Sequence, residues 1–368
     1  MKKTSILLIL LLFLCIDAFS QKVAYAVLKD STLTFYYDDK KPKGAYDVER
    51  TYDYEYSEIK NIKEWYKERD IFKVVFDESF NNYRPKSCKS WFKDCTELKR
   101  IIGMKEYLNT ENVTDMEDMF SGCKKLTNLD VSGFNTQKVT NMSNMFRDCL
   151  YLTSLDVSGF NTQNVTNMSN MFLGCKNLTS LDVSRFDTEK VTDMSDMFSD
   201  CQLLTSLDVK GFNTQNVKNM SNMFCNCKNL TSINVSGFNT QNVTDMSCMF
   251  KDCSLITSLD VSGFNTGKVT DMTYMFSACP LITSLDLSGF NTGKVVFLSC
   301  MFNGSENLKT IYIGQGWKIC KKTDGLEMFK NCNNLIGGQG TKYDENHTDV
   351  EYAHIDGGES NPGYFTKK

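Results

Sequence analysis

A 26-residue period constrains the fold of this chain more than any other feature of its sequence. The segment DVSGFNTQNVTNMSNMF, which ends at Phe172, returns along the chain with few changes. A fixed period of this length is typical of repeats that stack, because each unit has an apolar face that only its neighbours cover. The period is carried by Phe134, Phe160, Phe186, Phe212, Phe238, Phe264 and Phe290, and by Cys123, Cys149, Cys175, Cys201, Cys227, Cys253 and Cys279.

The spacing of apolar residues changes within one unit. Leu155 and Val157 alternate with polar residues before Ser158 and Gly159, which predicts a short strand that ends in a turn. Farther along, Val165 and Met168 begin a spacing of three and four that predicts a short helical turn. We therefore expect an α/β repeat solenoid of about ten coils, with parallel strands on one face.

The two ends of the chain depart from the repeat. Residues 1–20 have two lysines, an apolar run and small residues at Ala18 and Ser20, which predicts a signal peptide cleaved before Gln21. Lipidation of Cys15 is the alternative. Residues 21–82 are rich in Tyr and predict a strand-rich N-terminal cap. The solenoid is expected over residues 83–336 and a C-terminal cap over 337–368.

Charge and composition exclude some partners. The formal net charge is -4 and the pI is about 5.5, so the surface lacks the basic character that nucleic-acid binding requires. The apolar run near the N-terminus is too short for a permanent membrane helix. The sequence therefore predicts an exported protein, secreted or at the cell surface, with no transmembrane segment in the mature chain and no nucleic-acid partner.

The repeated Met, Phe, Leu and Cys positions predict core rather than a cofactor site, since Met packs well beside aromatic rings. The chain has 15 cysteines, and an exported chain commonly forms disulfides. Those in phase would stack with parallel side chains, a poor geometry for bridging, so buried thiols are expected. The redox state of the out-of-phase Cys225, Cys248, Cys300 and Cys320 is left open.

A column of exposed carboxylates is the strongest site signal. In the predicted strand these residues point away from the buried Leu and Val positions, and neighbouring carboxylates repel. Two interpretations are open: the side chains bond nearby amides and Ser hydroxyls, or they form a stripe that binds a ligand or a cation such as Ca²⁺. The column consists of Asp130, Asp156, Asp182, Asp208, Asp260 and Asp286, with Asn234 between Asp208 and Asp260.

An enzyme is not expected. Catalytic sites on repeat folds gather singular residues, whereas here each unit copies its neighbour. The two histidines, His347 and His354, lie in the predicted C-terminal cap, where they either join nearby acids at a metal or occupy a solvated loop. No cofactor is predicted other than the Ca²⁺ alternative above.

Written out as CxxLTSLDVSxFNTxxVTxMSxMFxxC, the repeat resembles that of the BspA-like leucine-rich repeat surface proteins from about Trp91 to Leu335. The resemblance implies a leucine-rich-repeat-like fold on a secreted or surface-displayed protein. It also implies binding of proteins, including extracellular-matrix or host-cell components.

Two functions follow as hypotheses. In the first, a monomeric adhesin-type protein binds proteins or glycans of a host or neighbouring cell through the repeat surface. Its specificity would come from departures from consensus at Arg185, Lys210, Tyr274 and Phe297. In the second, the protein is a structural element of a cell surface or matrix that associates with copies of itself.

Overall fold

The computed structural model describes residues 21–52, 62–63, 65, 68 and 70–368. The predicted signal peptide lies outside the described residues. The strands within this part of the chain are β1 Val23–Lys29, β2 Thr32–Asp38, β3 Tyr46–Asp47, β4 Thr51–Tyr52, β5 Ile62–Lys63, β6 Lys73–Phe76, β7 Arg100–Ile102, β8 Ser284–Leu287, β9 Thr310–Ile313 and β10 Phe365–Lys367. The described residues contain one α-helix, α1 Met104–Tyr107, and 3₁₀ turns at Glu78–Asn82, Val350–Tyr352 and Gly358–Ser360.

The N-terminal part is a mixed five-stranded sheet in the order β3-β1-β2-β6-β7. The β1–β2 hairpin turns at Asp30 and Ser31, both with positive φ, as a two-residue primed turn requires. Strands β2, β6 and β7 are parallel. On the buried face, the ring of Phe35 stacks on that of Phe76 at 4.8 Å and on that of Trp91 at 5.5 Å, so this sheet shares its core with the first repeat.

The predicted α/β leucine-rich-repeat-like solenoid is wrong. Within the described part of the repeat region, α1 is the one helical turn and does not fall on a Met-Phe segment, where helical turns were predicted, and regular strand occurs in β7, β8 and β9. Other units consist of tight turns that meet their neighbours at isolated parallel bridges, such as Asn141 with Asn167 and Asn167 with Asp193. We call the turns and bridges from Ser87 to Leu335 the repeat stack.

The backbone of the Met-Phe segment explains why no helix forms there. Asn144 and Asp148 have φ near +55°, in the left-handed region that interrupts a right-handed helix. The amide of Met145 bonds within its own turn to Met142, whereas the amide of Phe146 bonds to the carbonyl of Met171 in the next unit. Successive turns therefore place every third or fourth side chain inward, as a helix would.

The interior of the repeat stack is built from the predicted columns, and their burial is confirmed. One ring column runs from Phe92 to Phe329 with centroids of neighbouring rings 5.5–6.0 Å apart. The Leu, Val and Met side chains beside it are also buried. Such offset ring contacts add to the burial of apolar area, so the column is the main apolar support of the stack.

Two polar columns stabilise the repeat stack, one by bonds between units and one by bonds within each unit. The buried hydroxyl of Thr136 donates to the carbonyl of Asn161 at 3.0 Å and accepts from its amide at 2.7 Å. Beside it, the side chain of Asn135 accepts from the amide of Gln137 at 3.1 Å, and equivalents recur along the chain. The Asn side chains of this column therefore stabilise the turns that contain them.

The C-terminal segment covers the last strand of the stack. Strand β10 pairs in parallel with β9, which pairs with β8. The ring of Trp317 packs edge-on against Phe365 at 5.0 Å, and its Nε1 donates to the carbonyl of Ala353 at 3.0 Å. An open strand edge invites association with another chain, so this pairing protects β9.

Candidate functional site

The predicted carboxylate column lies on one exposed side of the repeat stack, which we call the Asp face. Five of its members are exposed and Asp286 is half-buried, while the Leu and Val positions between them are buried. The prediction of an outward-facing column is therefore confirmed. The Asp face comprises Asp130, Asp156, Asp182, Asp208, Asn234, Asp260 and Asp286, together with the residues two and three positions after each.

Each carboxylate on the Asp face forms the same local hydrogen bonds. Oδ1 of Asp182 accepts from the amide of Ser184 at 3.0 Å and from its hydroxyl at 2.6 Å. Asp156 accepts from the amide of Ser158 at 2.9 Å, and the other members have equivalent bonds. These contacts are the Asx turn expected of Asp two residues before Ser, so the bonding interpretation of the column holds.

The hydrogen bonds shift the acidity of several members. Bonds from Ser158 hold the pKa of Asp156 below its ordinary value, although the charges of Asp130 and Asp182 oppose this. Bonds from Ser184 lower the pKa of Asp182 in the same way, with help from Arg185. A carboxylate that accepts hydrogen bonds favours its charged form. The Asp face is therefore negatively charged at neutral pH.

Ion pairs neutralise the two ends of the column. Lys105 Nζ lies 3.5 Å from Asp130 Oδ2, and the Lys368 ammonium contacts Asp286. Between these ends, a shallow depression of about 490 Å³ crosses three repeats. It is lined by Ser154, Leu155, Asp156, Ser180, Leu181, Asp182, Ser206 and Asp208.

The predicted consensus departures divide between two parts of the surface. Arg185 and Lys210 lie on the Asp face and are exposed. The amide of Lys210 bonds Asp208 at 3.0 Å, as a Ser amide does in other units. Tyr274 instead belongs to the left-handed turns, where Lys251 Nζ lies 4.8 Å from its ring centroid. Phe297, 46% exposed, lies in the column of bridged turn residues.

Tyr151 is an exposed residue that was not predicted as part of a site. It is 54% exposed, the second most exposed large apolar residue in the described part of the chain after Leu326. Neighbouring units have Lys125 and Asn177 at its position. Later units have the exposed Leu203, Leu255 and Leu281 at this position, so the available signal is a single aromatic residue at a variable, exposed position.

The acidic and histidine residues of the C-terminal segment do not gather at one point, although His347 Nδ1 lies 3.9 Å from Glu351 Oε1. His347 stacks on Tyr352 with ring centroids 4.5 Å apart, whereas the carboxylate of Asp356 is buried and bonds to backbone amides. In the described part of the chain, no group of three or more His, Cys, Asp or Glu side chains is placed to hold a metal ion.

The in-phase and out-of-phase cysteines differ in how deeply they are buried. In-phase thiols are buried and donate to a Phe carbonyl of the preceding unit, as Cys201 does to Phe172 at 3.3 Å. Burial raises the pKa of these thiols. Of the out-of-phase residues, Cys225 and Cys248 are half-buried, Cys300 is buried and Cys320 is exposed.

The recurring turns, columns and inter-unit bonds define a tandem-repeat protein. Three overlapping segments, residues 86–207, 152–257 and 227–340, match the family described as Mycoplasma protein of unknown function, DUF285. These segments span more than half of the chain, so the protein belongs to this family. The resemblance to BspA-like leucine-rich repeat proteins is thereby corrected.

A search of curated proteins finds no match. Within the described residues, no helix is both long and apolar enough to cross a bilayer.

Proposed function

We propose that the protein is exported and binds a macromolecule of a host or neighbouring cell, a protein or a glycan, through the Asp face. The reaction machinery of an enzyme plays no part in this proposal. The observation that carries it is the extended polar surface itself, which presents the same donors and acceptors in unit after unit and includes a depression across three repeats.

The local hydrogen bonds of the Asp face support a binding role. Each Oδ1 is fixed by the amide two residues later, so the carboxylates are held in place before a ligand arrives. Fixed polar groups lose less conformational freedom on association than mobile ones. The remaining Oδ2 atoms of Asp156 and Asp182 are free to accept hydrogen bonds from a partner's amides or hydroxyls.

Arg185 and Lys210 are positions at which this repetitive surface departs from the repeat. Most other units have Gly and Ser at their positions, and Arg185 lies close enough to Asp182 to lower the pKa of that carboxyl further. A uniform surface binds a partner in many registers, whereas two cations among carboxylates favour one register. We expect these two residues to determine specificity.

The test is a quantitative pull-down of the chain against extracellular-matrix proteins and glycans, with Ca²⁺ and with chelator. The variants Arg185→Gly and Lys210→Ser restore the consensus, and each is expected to weaken binding about fivefold. Lys218→Thr is the matched control, because it restores consensus in the exposed Thr column rather than on the Asp face. Its binding should equal that of the wild type.

Self-association is the competing function. Pairing of β10 with β9 covers the last strand edge of the stack, which disfavours end-to-end joining of copies. Sedimentation over a range of concentrations separates the two functions. A mass that rises with concentration, together with no captured ligand, would contradict the binding proposal and favour a structural role.

A further inference from the structure

A second surface feature lies where the N-terminal sheet meets the repeat stack. A shallow depression of about 330 Å³ is lined by Lys99, Lys125, Thr127 and Tyr151. Phe72 lies beside it, 40% exposed, with Lys99 Nζ 5.6 Å from the centroid of its ring. We call these five residues the basic aromatic patch. The patch brings two exposed rings and two ammonium groups to one place.

The ring of Tyr151 is held toward solvent by its backbone. Its amide bonds to the carbonyl of Lys124 at 3.3 Å, and the next residue, Leu152, is fully buried with its amide bonded to Cys149. The turn therefore cannot rotate the ring inward without withdrawing Leu152 from the core. An exposed aromatic ring that is fixed in this way presents a flat apolar face at small entropic cost.

Charge distinguishes the patch from the rest of the surface. Lys125 pairs with Glu97 at 2.6 Å, but neither Lys99 nor Lys124 has an ion-pair partner among the described residues. The patch is therefore cationic on a chain whose net charge is -4, and it attracts anionic ligands.

We propose that the basic aromatic patch binds an anionic saccharide, a sugar that carries a carboxylate or a sulfate. The Tyr151 ring would pack against a C–H face of the sugar, the ammonium groups of Lys99 and Lys125 would bind the anion, and the Thr127 hydroxyl would bond a sugar hydroxyl. This inference rests on the glycan form of the proposed function, but it uses a different surface and names the ligand class.

The form of the patch favours a sugar over other anions. Its apolar surface is limited to the rings of Phe72 and Tyr151, and Lys99 and Lys125 add ammonium groups beside them, so it matches a small ligand that has both an apolar face and an anionic group. A lipid surface binds through a wider apolar area together with basic groups, which the patch lacks. The depression also has a size found in small-ligand sites.

The test is calorimetric titration of the full chain with three oligosaccharides of equal length. One contains glucuronate, one is sulfated and one is neutral. Saturable binding of either anionic oligosaccharide that weakens toward about 0.5 M salt is expected. The glucuronate and sulfated arms identify which anion the patch prefers. Equal binding of the neutral oligosaccharide, or binding only to vesicles of anionic phospholipid, would overturn the proposal.

Matched variants locate the site. Tyr151→Ala is expected to weaken binding about tenfold and Lys99→Gln about fivefold, whereas Tyr151→Phe should retain binding within about twofold. Leu203→Ala and Lys228→Gln are the controls, since both change exposed residues of the same turn in later repeats. Unchanged affinity in Tyr151→Ala would refute the assignment. The Arg185→Gly variant changes the Asp face and leaves the basic aromatic patch unchanged. The Tyr151→Ala variant changes the patch and leaves the Asp face unchanged, so a failure of one proposal can be distinguished from a failure of the other.

Discussion

The buried carboxylate of Asp356 is expected to hold the C-terminal segment on the repeat stack. Its side chain is 3% exposed. It accepts hydrogen bonds from the amides of Gln339, Thr341 and Gly358 at 2.7, 3.1 and 2.9 Å, and from the Thr341 hydroxyl at 2.7 Å. One carboxylate therefore joins the loop at residues 339–341 to the loop at Gly358. The two loops are adjacent in space although they are separated in sequence.

These bonds also determine how the segment responds to acid. Burial alone raises the pKa of Asp356, but the four hydrogen bonds outweigh it and lower the pKa from 3.8 to about 2. A depressed pKa stabilises the folded state above the ordinary value, and this contribution is lost as the pH falls from about 3.8 toward 2. The shift corresponds to about 2 kcal/mol at neutral pH.

Asp356→Asn keeps one acceptor oxygen and removes the charge, so it is expected to destabilise the segment by about 2 kcal/mol at pH 7 and to abolish this acid dependence. Hydrogen exchange of peptides from residues 337–368, measured from pH 7 to pH 2, gives the opening free energy of the segment directly. Asp344→Asn is the control, because Asp344 also accepts local hydrogen bonds but is exposed. Equal protection in wild type and Asp356→Asn would refute the reasoning.

Three further results are expected. At pH 8 a thiol reagent should label the exposed Cys320 first, whereas the buried, in-phase cysteines should react only on unfolding. The reason is that burial raises the pKa of these thiols, to about 12 for Cys175. Early labelling of the in-phase cysteines would contradict this prediction. Phe198→Ala should reduce the free energy of unfolding in urea by about 3–5 kcal/mol, because its ring contacts neighbours on both sides at 5.8 Å; a cost under about 1 kcal/mol would show that the ring column is not continuous. The free energy of unfolding of Cys201→Ser should remain within about 1 kcal/mol of wild type in the same assay. Ser305 already occupies the equivalent position in a later unit and donates to a Phe carbonyl at 2.8 Å. Cys201→Leu should instead reduce the free energy of unfolding by about 1–3 kcal/mol, because the larger side chain overpacks the core.

The buried columns were predictable from the sequence. Burial of Phe172 or Leu178 depends on hydrophobicity and on contact with the same residue type in the next unit. Both can be read from the sequence once the 26-residue period is recognised. The Asx turn of Asp156 with Ser158 was also within reach, since its two partners are two residues apart. These features are local or strictly periodic, so one unit predicts the others.

The local conformation of the Met-Phe segment was not predicted correctly. A spacing of three and four is shared by a helix and by successive tight turns, so hydrophobic periodicity does not distinguish them. The distinguishing signal is the residue type at Asn144, Asn170 and Asp196, since Asn and Asp enter the left-handed region more readily than most residues. Their regular recurrence indicates turns rather than helix.

Contacts between distant or atypical segments could not be predicted from the repeat. The bonds of Asp356 to Gln339 and Thr341 join loops with no periodic relation. The basic aromatic patch likewise forms where Lys99, just before strand β7, lies near Tyr151 of a later repeat. Such sites depend on how the ends of the chain pack on the repeats, which a single unit does not encode.

The bonds between units also determine how this protein can change in length. The Thr136 hydroxyl bonds Asn161 just as Thr162 bonds Asp187 and Thr188 bonds Asn213, so any unit meets its successor through the same groups. An in-frame duplication or deletion of 26 residues therefore rejoins every column without a mismatch. The distance between the N-terminal sheet and the C-terminal segment can thus increase or decrease by one unit at a time. Both ends, and the contacts that hold them on the stack, stay the same.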